Sequence, residues 1–255
     1  MKVGMPLLYG LGSVEENIEL AKKLNLDFVE LNLNYEYCRT ALENWEVLKQ
    51  KLDEYDLSTT LHFFDDFDFF APSEIVDTYI SLFKKYVELA GKCNLKIVNV
   101  HLNPSMYTTI NGKKVYHFES DMKASQKRFL EIAEKLEKIC KHNQCELSFE
   151  NTSMTKGLAK LYALLVKEGF NFTYDIGHDY CDREKVLATM AKKLPNIVEF
   201  HVHDSNKKTC HLPLGKGEIY IKPFKELAFN LNCYALIEIR EQEALVESVK
   251  KFFEL

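Results

Sequence analysis

The chain has few of the residues that interrupt secondary structure, and it has little arginine. Only 10 glycines and 6 prolines occur among 255 residues, and four of the 33 cationic side chains are arginine. This composition excludes collagen-like repeats and disordered, linker-rich chains. A formal net charge of -5 argues against a protein whose main task is to hold nucleic acid, because such affinity depends on clustered cations.

Long apolar runs and paired cysteine motifs are also missing. No stretch reaches the roughly 20 apolar residues of a membrane helix, and Glu15 and Glu16 interrupt the first apolar run before a signal peptide could be completed. The seven cysteines are odd in number and include no C-x-x-C motif, which favours reduced thiols over a disulfide framework. These absences predict a cytoplasmic protein that has no membrane partner.

The material that is present suits a large α/β core. The sequence is 46% hydrophobic, and its length is typical of an eightfold α/β barrel, which needs about 250 residues. Eight β-branched or alternating runs separate segments of helical period, as in a parallel sheet. The predicted strands are Lys2–Met5, Phe28–Leu33, Ser58–His62, Ile97–His101, Glu146–Glu150, Phe172–Asp175, Val198–His201 and Ala235–Glu238. We therefore predict one domain over residues 1–255, a single (β/α)8 TIM barrel.

Local signals place the helices between these strands. Capping boxes are predicted to begin helices at Ser13 and at Thr40, and Pro72 precedes a long helical run to Cys93. The remaining predicted helices are Glu119–His142, Met154–Glu168, Asp182–Lys193, Lys222–Leu231 and Glu241–Phe253. A doubly wound open sheet is the alternative, but no G-x-G-x-x-G motif follows the first strand.

Residues that can bind metal occupy the ends of six consecutive predicted strands. They are His62, His101, Glu150, Asp175, His201 and Glu238, and His178 and His211 follow shortly after two of these strands. Catalytic groups of a parallel barrel lie where strands run into their following loops. Three carboxylates that converge there without a counter-ion would repel one another and lose hydration. A divalent cation removes that conflict, since mixed imidazole and carboxylate ligands suit zinc, manganese, cobalt or iron.

The same residues carry a resemblance that spans nearly the whole chain. The segments are Leu61-His62, Val100-His101, Phe149-Glu150-Asn151, Asp175-Ile176-Gly177-His178, Phe200-His201-Val202-His203-Asp204-Ser205, His211-Leu212-Pro213-Leu214-Gly215-Lys216-Gly217-Glu218-Ile219 and Ile237-Glu238. In this order they resemble the xylose isomerase-like barrel superfamily. That superfamily includes sugar and sugar-phosphate isomerases and epimerases, and also the endonuclease IV family.

The epimerase branch of the superfamily implies a metal-dependent isomerase or epimerase that acts on a sugar or sugar phosphate. It implies one divalent ion, manganese, cobalt, zinc or magnesium, held by Glu150, Asp175, His201 and Glu238. Glu150 and Glu238 would also be the catalytic acid and base. The expected substrate-binding residues are His62, His101, His178, His211, Arg240 and Lys216. A second metal at His62, His101 and Glu150 and assembly into a homo-oligomer are left open.

Two other functions remain as alternatives. The endonuclease IV branch implies a zinc phosphodiesterase for abasic DNA with three zinc ions, the third of which needs an aspartate at the position of Thr209. A neutral hydroxyl is a poor replacement for that ligand. The other alternative is a barrel that has lost catalysis and only binds its ligand. The segment Gly215-Lys216-Gly217 is either an anion-binding loop, with backbone amides and Lys216 facing a phosphate, or a tight turn.

Overall fold

Parallel strands close into a barrel in the computed structural model, which describes residues 1–182 and 196–255. In chain order the strands are β1 (Lys2–Pro6), β2 (Phe28–Asn32), β3 (Ser58–His62), β4 (Leu95–Leu102), β5 (Tyr107–Ile110), β6 (Lys113–Tyr116), β7 (Glu146–Asn151), β8 (Asn171–Asp175), β9 (Ile197–Val202) and β10 (Tyr234–Ile237). The barrel order is β1-β10-β9-β8-β7-β4-β3-β2, and β5 pairs with β6 in a separate antiparallel hairpin. The predicted eight-stranded TIM barrel is confirmed.

Helices follow the barrel strands and cover their outer face. They are α1 (Val14–Lys23), α2 (Glu36–Glu43), α3 (Trp45–Tyr55), α4 (Ser73–Gly91), α5 (Met122–His142), α6 (Lys156–Glu168), α7 (Ile176–Cys181), α8 (Lys222–Asn230) and α9 (Gln242–Glu254). Among the described residues, none of these helices is long and apolar enough to cross a membrane. The predicted helix Asp182–Lys193 lies, from residue 183 onward, outside the described residues.

The helix boundaries show where capping chemistry was interpreted correctly and where it was not. The Ser13 hydroxyl accepts the backbone N–H of Glu16 at 3.2 Å, as the predicted capping box requires. No helix begins at Thr40, because α2 already starts at Glu36 and passes through that position. Asn44 ends α2, and its side-chain amide donates to the Thr40 carbonyl oxygen at 3.0 Å. A second helix, α3, begins directly afterwards at Trp45. The structure therefore has two helices where the sequence predicted one.

The predicted loop after the fourth barrel strand contains the β5–β6 hairpin. Asn111 and Gly112 connect its two strands, and both have positive φ angles, 50° and 75°. Asn-Gly is the dipeptide that such a two-residue turn favours, because both central residues must adopt the left-handed region. The hairpin is largely exposed, so it covers no core surface and changes nothing in the barrel register.

The interior of the barrel is unusually polar. Inward positions of a TIM barrel are mostly filled by branched apolar side chains, yet here they include buried Glu30, Thr60, Asn99, Ser148 and Glu199. The apolar core lies instead between the strands and the surrounding helices, where aromatic pairs such as Phe69 and Phe129 pack at 4.9 Å between ring centroids. The side chains that line the barrel are therefore largely polar, and most of the apolar packing lies between the barrel and its helices.

Gly177 gives a direct test of how tightly the mouth of the barrel is packed. A Cβ atom at this position would overlap the imidazole ring of His203, whereas a Cβ at Gly10 would meet nothing within 4 Å. We expect Gly177→Ala to lower the free energy of unfolding by about 1–3 kcal/mol, as overpacking does. Gly10→Ala, the control, should change it by less than about 0.5 kcal/mol. Urea titration of both variants measures the difference, and equal stabilities would contradict this packing.

Candidate metal and acid–base site

Parallel register brings four predicted ligands to one mouth of the barrel. His201 pairs with Asp175 on β8 and with Leu236 on β10, and Glu238 follows two residues after Leu236. Glu150 on β7 pairs with Thr173, two residues before Asp175. One ligand atom from each of Glu150, Asp175, His201 and Glu238 lies within 4.8 Å of the others. The sequence prediction that these side chains converge is therefore matched by their geometry.

The centre of this group lacks internal partners. His201 Nδ1 lies 3.3 Å from Glu150 Oε1 and 3.5 Å from Glu238 Oε2. Both ring nitrogens of His201 and Glu238 Oε2 are buried without a hydrogen-bond partner. Buried polar atoms are rarely left unsatisfied. Three carboxylates and one imidazole that point at a common position fit a divalent cation, which would satisfy them.

A second group shares Glu150 with the first. The Nε2 atoms of His62 and His101 lie 3.0 Å apart and 3.6 and 3.4 Å from Glu150 Oε2. His62 Nδ1 lies 2.8 Å from the Phe63 carbonyl oxygen. Since that oxygen can only accept, Nδ1 carries a proton, and His62 Nε2 faces His101 and Glu150. This arrangement also fits a cation.

A third group of histidines lies on the outer side of Asp175. His178, His203 and His211 surround that carboxylate, and the rings of His203 and His211 stack at 4.2 Å. His203 Nε2 lies 3.1 Å from the Asp175 carboxylate and donates to it, and His203 Nδ1 lies 3.1 Å from the Asp204 carbonyl oxygen and 2.8 Å from the backbone nitrogen of His211. His203 therefore orients Asp175. Thr209 is exposed in a turn and takes no part in this group.

Other supporting residues had no sequence signal of their own. The Asn99 amide donates to the Glu150 carboxylate. The Asn151 side chain pairs with the backbone of Asp175, donating to its carbonyl oxygen and accepting its N–H, both at 2.8 Å. Asp65 Oδ1 lies 3.4 Å from His62 Nδ1 at the edge of the mouth. Only the alternation along β4 could have placed Asn99 inward, two residues before His101.

The expected substrate-binding residues differ in where they lie. His178 and His211 are partly exposed, and Arg240 Nη2 lies 3.3 Å from His211 Nε2 and 3.6 Å from Glu238 Oε1. His62 and His101 lie deeper, in the second group. Lys216 is exposed in the loop after β9. The structure thus brings all of these residues except Lys216 into hydrogen-bonding or ion-pair range of the ligand groups.

The anion-binding interpretation of the loop around Lys216 is corrected by the structure. Buried Asp204 accepts the backbone N–H groups of Gly215, Gly217 and Ile219 at 2.8 to 3.0 Å. These amides are consequently satisfied by an internal carboxylate. A Cβ atom on Gly217 would overlap Asp204, which explains the glycine. Of the two interpretations, an anion-binding loop and a tight turn, the structure therefore favours the tight turn.

The structure places one pair of cysteines side by side. Cys181 at the end of α7 and Cys210 have Cα atoms 6.9 Å apart, whereas Cys38, Cys93, Cys140, Cys145 and Cys233 are buried apart from this pair. Cys181 follows His178 by three residues, and Cys210 directly precedes His211. The pair therefore lies where the two segments that carry the partly exposed histidines of the third group meet.

Comparison with known proteins adds the family. The model of the xylose isomerase-like TIM barrel family matches residues 18–254. The chain belongs to this family. A search of curated proteins found no match. The family assignment confirms the resemblance carried by the residues at the strand ends.

Solved structures with the same fold include several proteins of low identity. A D-tagatose 3-epimerase-like protein is 19% identical, with a TM-score of 0.79, over 100% of this chain and 97% of its own. The 3-keto-D-glucoside 4-epimerase from E. coli is 14% identical, with a TM-score of 0.80, over 100% of both chains. The IOLI protein, solved with a bound zinc atom, is 13% identical, with a TM-score of 0.76, over 99% and 97%. At such identities the likeness concerns the xylose isomerase-like barrel itself.

The electrostatics of the barrel mouth are strongly coupled. Burial alone would lower the pKa of His62, but the hydrogen bond to Glu150 and the charge of Glu30 outweigh burial and raise it to about 10. Burial would likewise lower the pKa of His203, but the charge of Asp175 and the hydrogen bond to it outweigh burial and raise the pKa to about 9. Burial would raise the pKa of Glu238, but His201 and His211 hold it well below its usual range. Ionised carboxylates and imidazolium groups thus stabilise one another in the metal-free protein.

The raised histidine pKa values predict how the metal-free protein responds to alkali. A histidine whose pKa is higher when folded stabilises the fold fully below its unfolded value of about 6.5, and loses that contribution as the pH rises through the folded value. With folded values of about 10 for His62 and about 9 for His203, we expect unfolding free energy to fall between pH 6.5 and 10. Each histidine that is protonated only in the folded state contributes about 1.4 kcal/mol per pH unit, so the slope should approach about 3 kcal/mol per pH unit near pH 8.

Urea titrations in the presence of a chelator across this pH range measure the slope. His203→Asn removes one of the titrating groups and should reduce the slope, whereas the exposed His142→Asn should leave it unchanged. Stability that increases between pH 6.5 and 10 would show that these histidines are neutral in the folded protein.

Proposed function

We propose that this protein is an isomerase or epimerase that moves a proton at the carbon beside a sugar carbonyl. The observation that carries the proposal is the pair of carboxylates, Glu150 on β7 and Glu238 after β10, that meet at His201 Nδ1 at 3.3 and 3.5 Å. Such a pair can take a proton from one side of a substrate and return one from the other. The sugar class is supported by the epimerases that share the fold.

We further propose that Glu150, Asp175, His201 and Glu238 hold one divalent cation. The unpartnered atoms of His201 and Glu238 support this ligand set. When bound, such a cation supplies positive charge beside the substrate oxygen on which negative charge develops. His203, through its hydrogen bond to Asp175, keeps that carboxylate turned toward the position, as outer partners of metal ligands generally do.

The acid–base role follows from the state of the two glutamates. Neighbouring imidazoles hold the pKa of Glu150 and of Glu238 well below the usual range, although burial opposes them. Both are therefore ionised at neutral pH and able to accept a proton. Glu238 lies nearer to solvent, since it is 8% exposed while Glu150 is 1% exposed. Glu238 is the better placed of the two to exchange its proton with water.

Substrate hydroxyls would bind the donors at the open side of the mouth. Of the predicted set, His178 and His211 are partly exposed there and Arg240 is exposed beside them. His62 and His101 would form a second cation position with Glu150, supported by the closeness of their Nε2 atoms to that carboxylate. An abasic-site nuclease is not favoured, because Thr209 lies outside the ligand groups and the chain has few arginines.

Proton exchange with solvent tests the proposal without knowledge of the physiological substrate. Ketoses, inososes and their phosphates are incubated with the protein and manganese in deuterium oxide, and mass spectrometry follows incorporation of deuterium. We expect incorporation at the carbon beside the carbonyl for at least one substrate, and loss of it in the presence of a chelator. A panel in which no compound exchanges, with metal bound to the protein, would contradict the proposed chemistry.

A further inference from the structure

Two glutamates that no sequence motif singled out lie inside the barrel beneath the proposed metal position. Glu199 precedes His201 by two residues on β9, so strand alternation turns both side chains inward. Glu30 points inward from β2. Glu30 and Glu199 are 1% and 0% exposed. We call them the interior carboxylate pair.

The pair lacks the partners that buried carboxylates ordinarily require. Both carboxylate oxygens of Glu199 and Oε1 of Glu30 are buried without a hydrogen bond, and the same holds for the hydroxyl of Thr60, which pairs with Glu30 in the strand register. Burying a carboxyl group away from water and from hydrogen-bond donors is costly. Two such groups where branched apolar side chains normally pack point to a functional reason.

The imidazole of His201 connects this pair to the site above it. Nδ1 faces Glu150 and Glu238, whereas Nε2 lies 3.6 Å from Glu30 Oε1 and 4.0 Å from Glu199 Oε2. Glu238 is 8% exposed, whereas Glu30 and Glu199 are closed off from solvent. When a cation binds at Nδ1, the proton of the neutral ring must occupy Nε2, and among the described residues the interior pair supplies carboxylate oxygens within 4.0 Å of it.

We propose that Glu30 and Glu199 are positioning residues that hold the Nε2–H of His201 and so keep its Nδ1 lone pair aimed at the metal position. The inference rests on the proposed metal site and names the residues that set its affinity. Histidine ligands commonly donate their second N–H to a carboxylate, and loss of that partner typically weakens metal binding 10- to 100-fold. Two acceptors beneath one ring are a stronger restraint on its rotation than one.

The proposal predicts an effect on metal affinity. Glu30→Met and Glu199→Met remove a buried carboxyl group, and with it an acceptor, while they keep the length of the side chain. We expect each to weaken binding of zinc about 10- to 100-fold in competition with a chromophoric chelator. Glu30→Gln should lie between, since its amide oxygen can still accept the N–H.

Matched controls separate positioning from general damage. Glu146→Gln alters an exposed glutamate of another barrel strand, and Thr60→Val removes the unpartnered hydroxyl beside Glu30 without changing charge. Both should bind zinc as the unsubstituted protein does. Long-range 1H–15N spectra of the zinc-loaded protein add a readout of tautomer: His201 should show a protonated Nε2 that exchanges slowly, and much faster in Glu30→Met.

The outcomes are distinct. Zinc affinities of Glu30→Met and Glu199→Met within threefold of the unsubstituted protein would overturn the positioning role while the metal site stands. If the methionine variants do not fold, the tautomer spectrum of the zinc-loaded unsubstituted protein carries the comparison, and a His201 Nε2 that is unprotonated or exchanges fast has the same meaning. Unsubstituted protein that binds no divalent metal would remove the metal site and the positioning role together.

Discussion

Glu238→Gln is expected to lower incorporation of solvent deuterium into a bound ketose or inosose by about 10²- to 10⁴-fold, the usual contribution of a general base. Glutamine keeps the size of the side chain and one oxygen, but it cannot accept the substrate proton. The same substitution at Glu150 should have a comparable effect if the two carboxylates act from opposite sides. Initial rates of exchange in deuterium oxide, followed by mass spectrometry, give the ratio directly.

Because both glutamates are also proposed ligands, metal content has to be measured in each variant. Loss of exchange with the metal retained separates proton transfer from ligation. Glu226→Gln, on the exposed surface of α8, is the matched control and should exchange at the unsubstituted rate. Exchange that persists in both Glu150→Gln and Glu238→Gln at full metal content would eliminate the proposed pair.

Addition of manganese or zinc to chelator-treated protein is expected to raise its stability strongly. A ligand that binds only the folded state at 1,000 times its dissociation constant adds about 4.1 kcal/mol. Asp175→Ala removes one of the proposed ligands and frees His203 from its carboxylate partner, so the metal-dependent gain should almost disappear. Thermal unfolding with and without metal measures the gain in each protein.

Asp77→Ala, which changes an exposed aspartate on α4, should keep the full metal-dependent gain. The metal-free stability of Asp175→Ala is informative as well. This variant leaves His178 and His203 without the carboxylate between them, so it should be less stable than the unsubstituted metal-free protein near neutral pH. Equal stabilisation of Asp175→Ala and the unsubstituted protein by metal would place the ion elsewhere.

The barrel and its site could be predicted because both depend on local order along the chain. Six of the eight predicted strands end in a residue that can bind metal, and the register of parallel strands brings those ends to the same mouth. His62, His101, Glu150, Asp175 and His201 all end or nearly end the strands observed. Glu238 follows β10 directly. The prediction needed no knowledge of which strands are neighbours across the barrel.

The parts that the sequence did not predict depend on contacts between distant segments. Cys181 and Cys210 are 29 residues apart, and only the packing of α7 against the loop after β9 brings them together. Asp204 takes its role from amides that fold back onto it. Glu199 lies in an ordinary strand pattern. Only the structure shows that its carboxyl group is buried without a hydrogen-bond partner. Pairwise chemistry of this kind has no periodic signal.

Asp204 has a consequence for the choice of substrate. Its carboxylate saturates three amides of the loop that in other barrels is often available to phosphate. A phosphate that bound there would have to displace the Asp204 carboxylate from these amides. Because Asp204 belongs to the chain, it would stay close by and its negative charge would repel the phosphate. Asp204 itself therefore occupies this position, and we expect the proposed site to take neutral sugars in preference to phosphorylated ones.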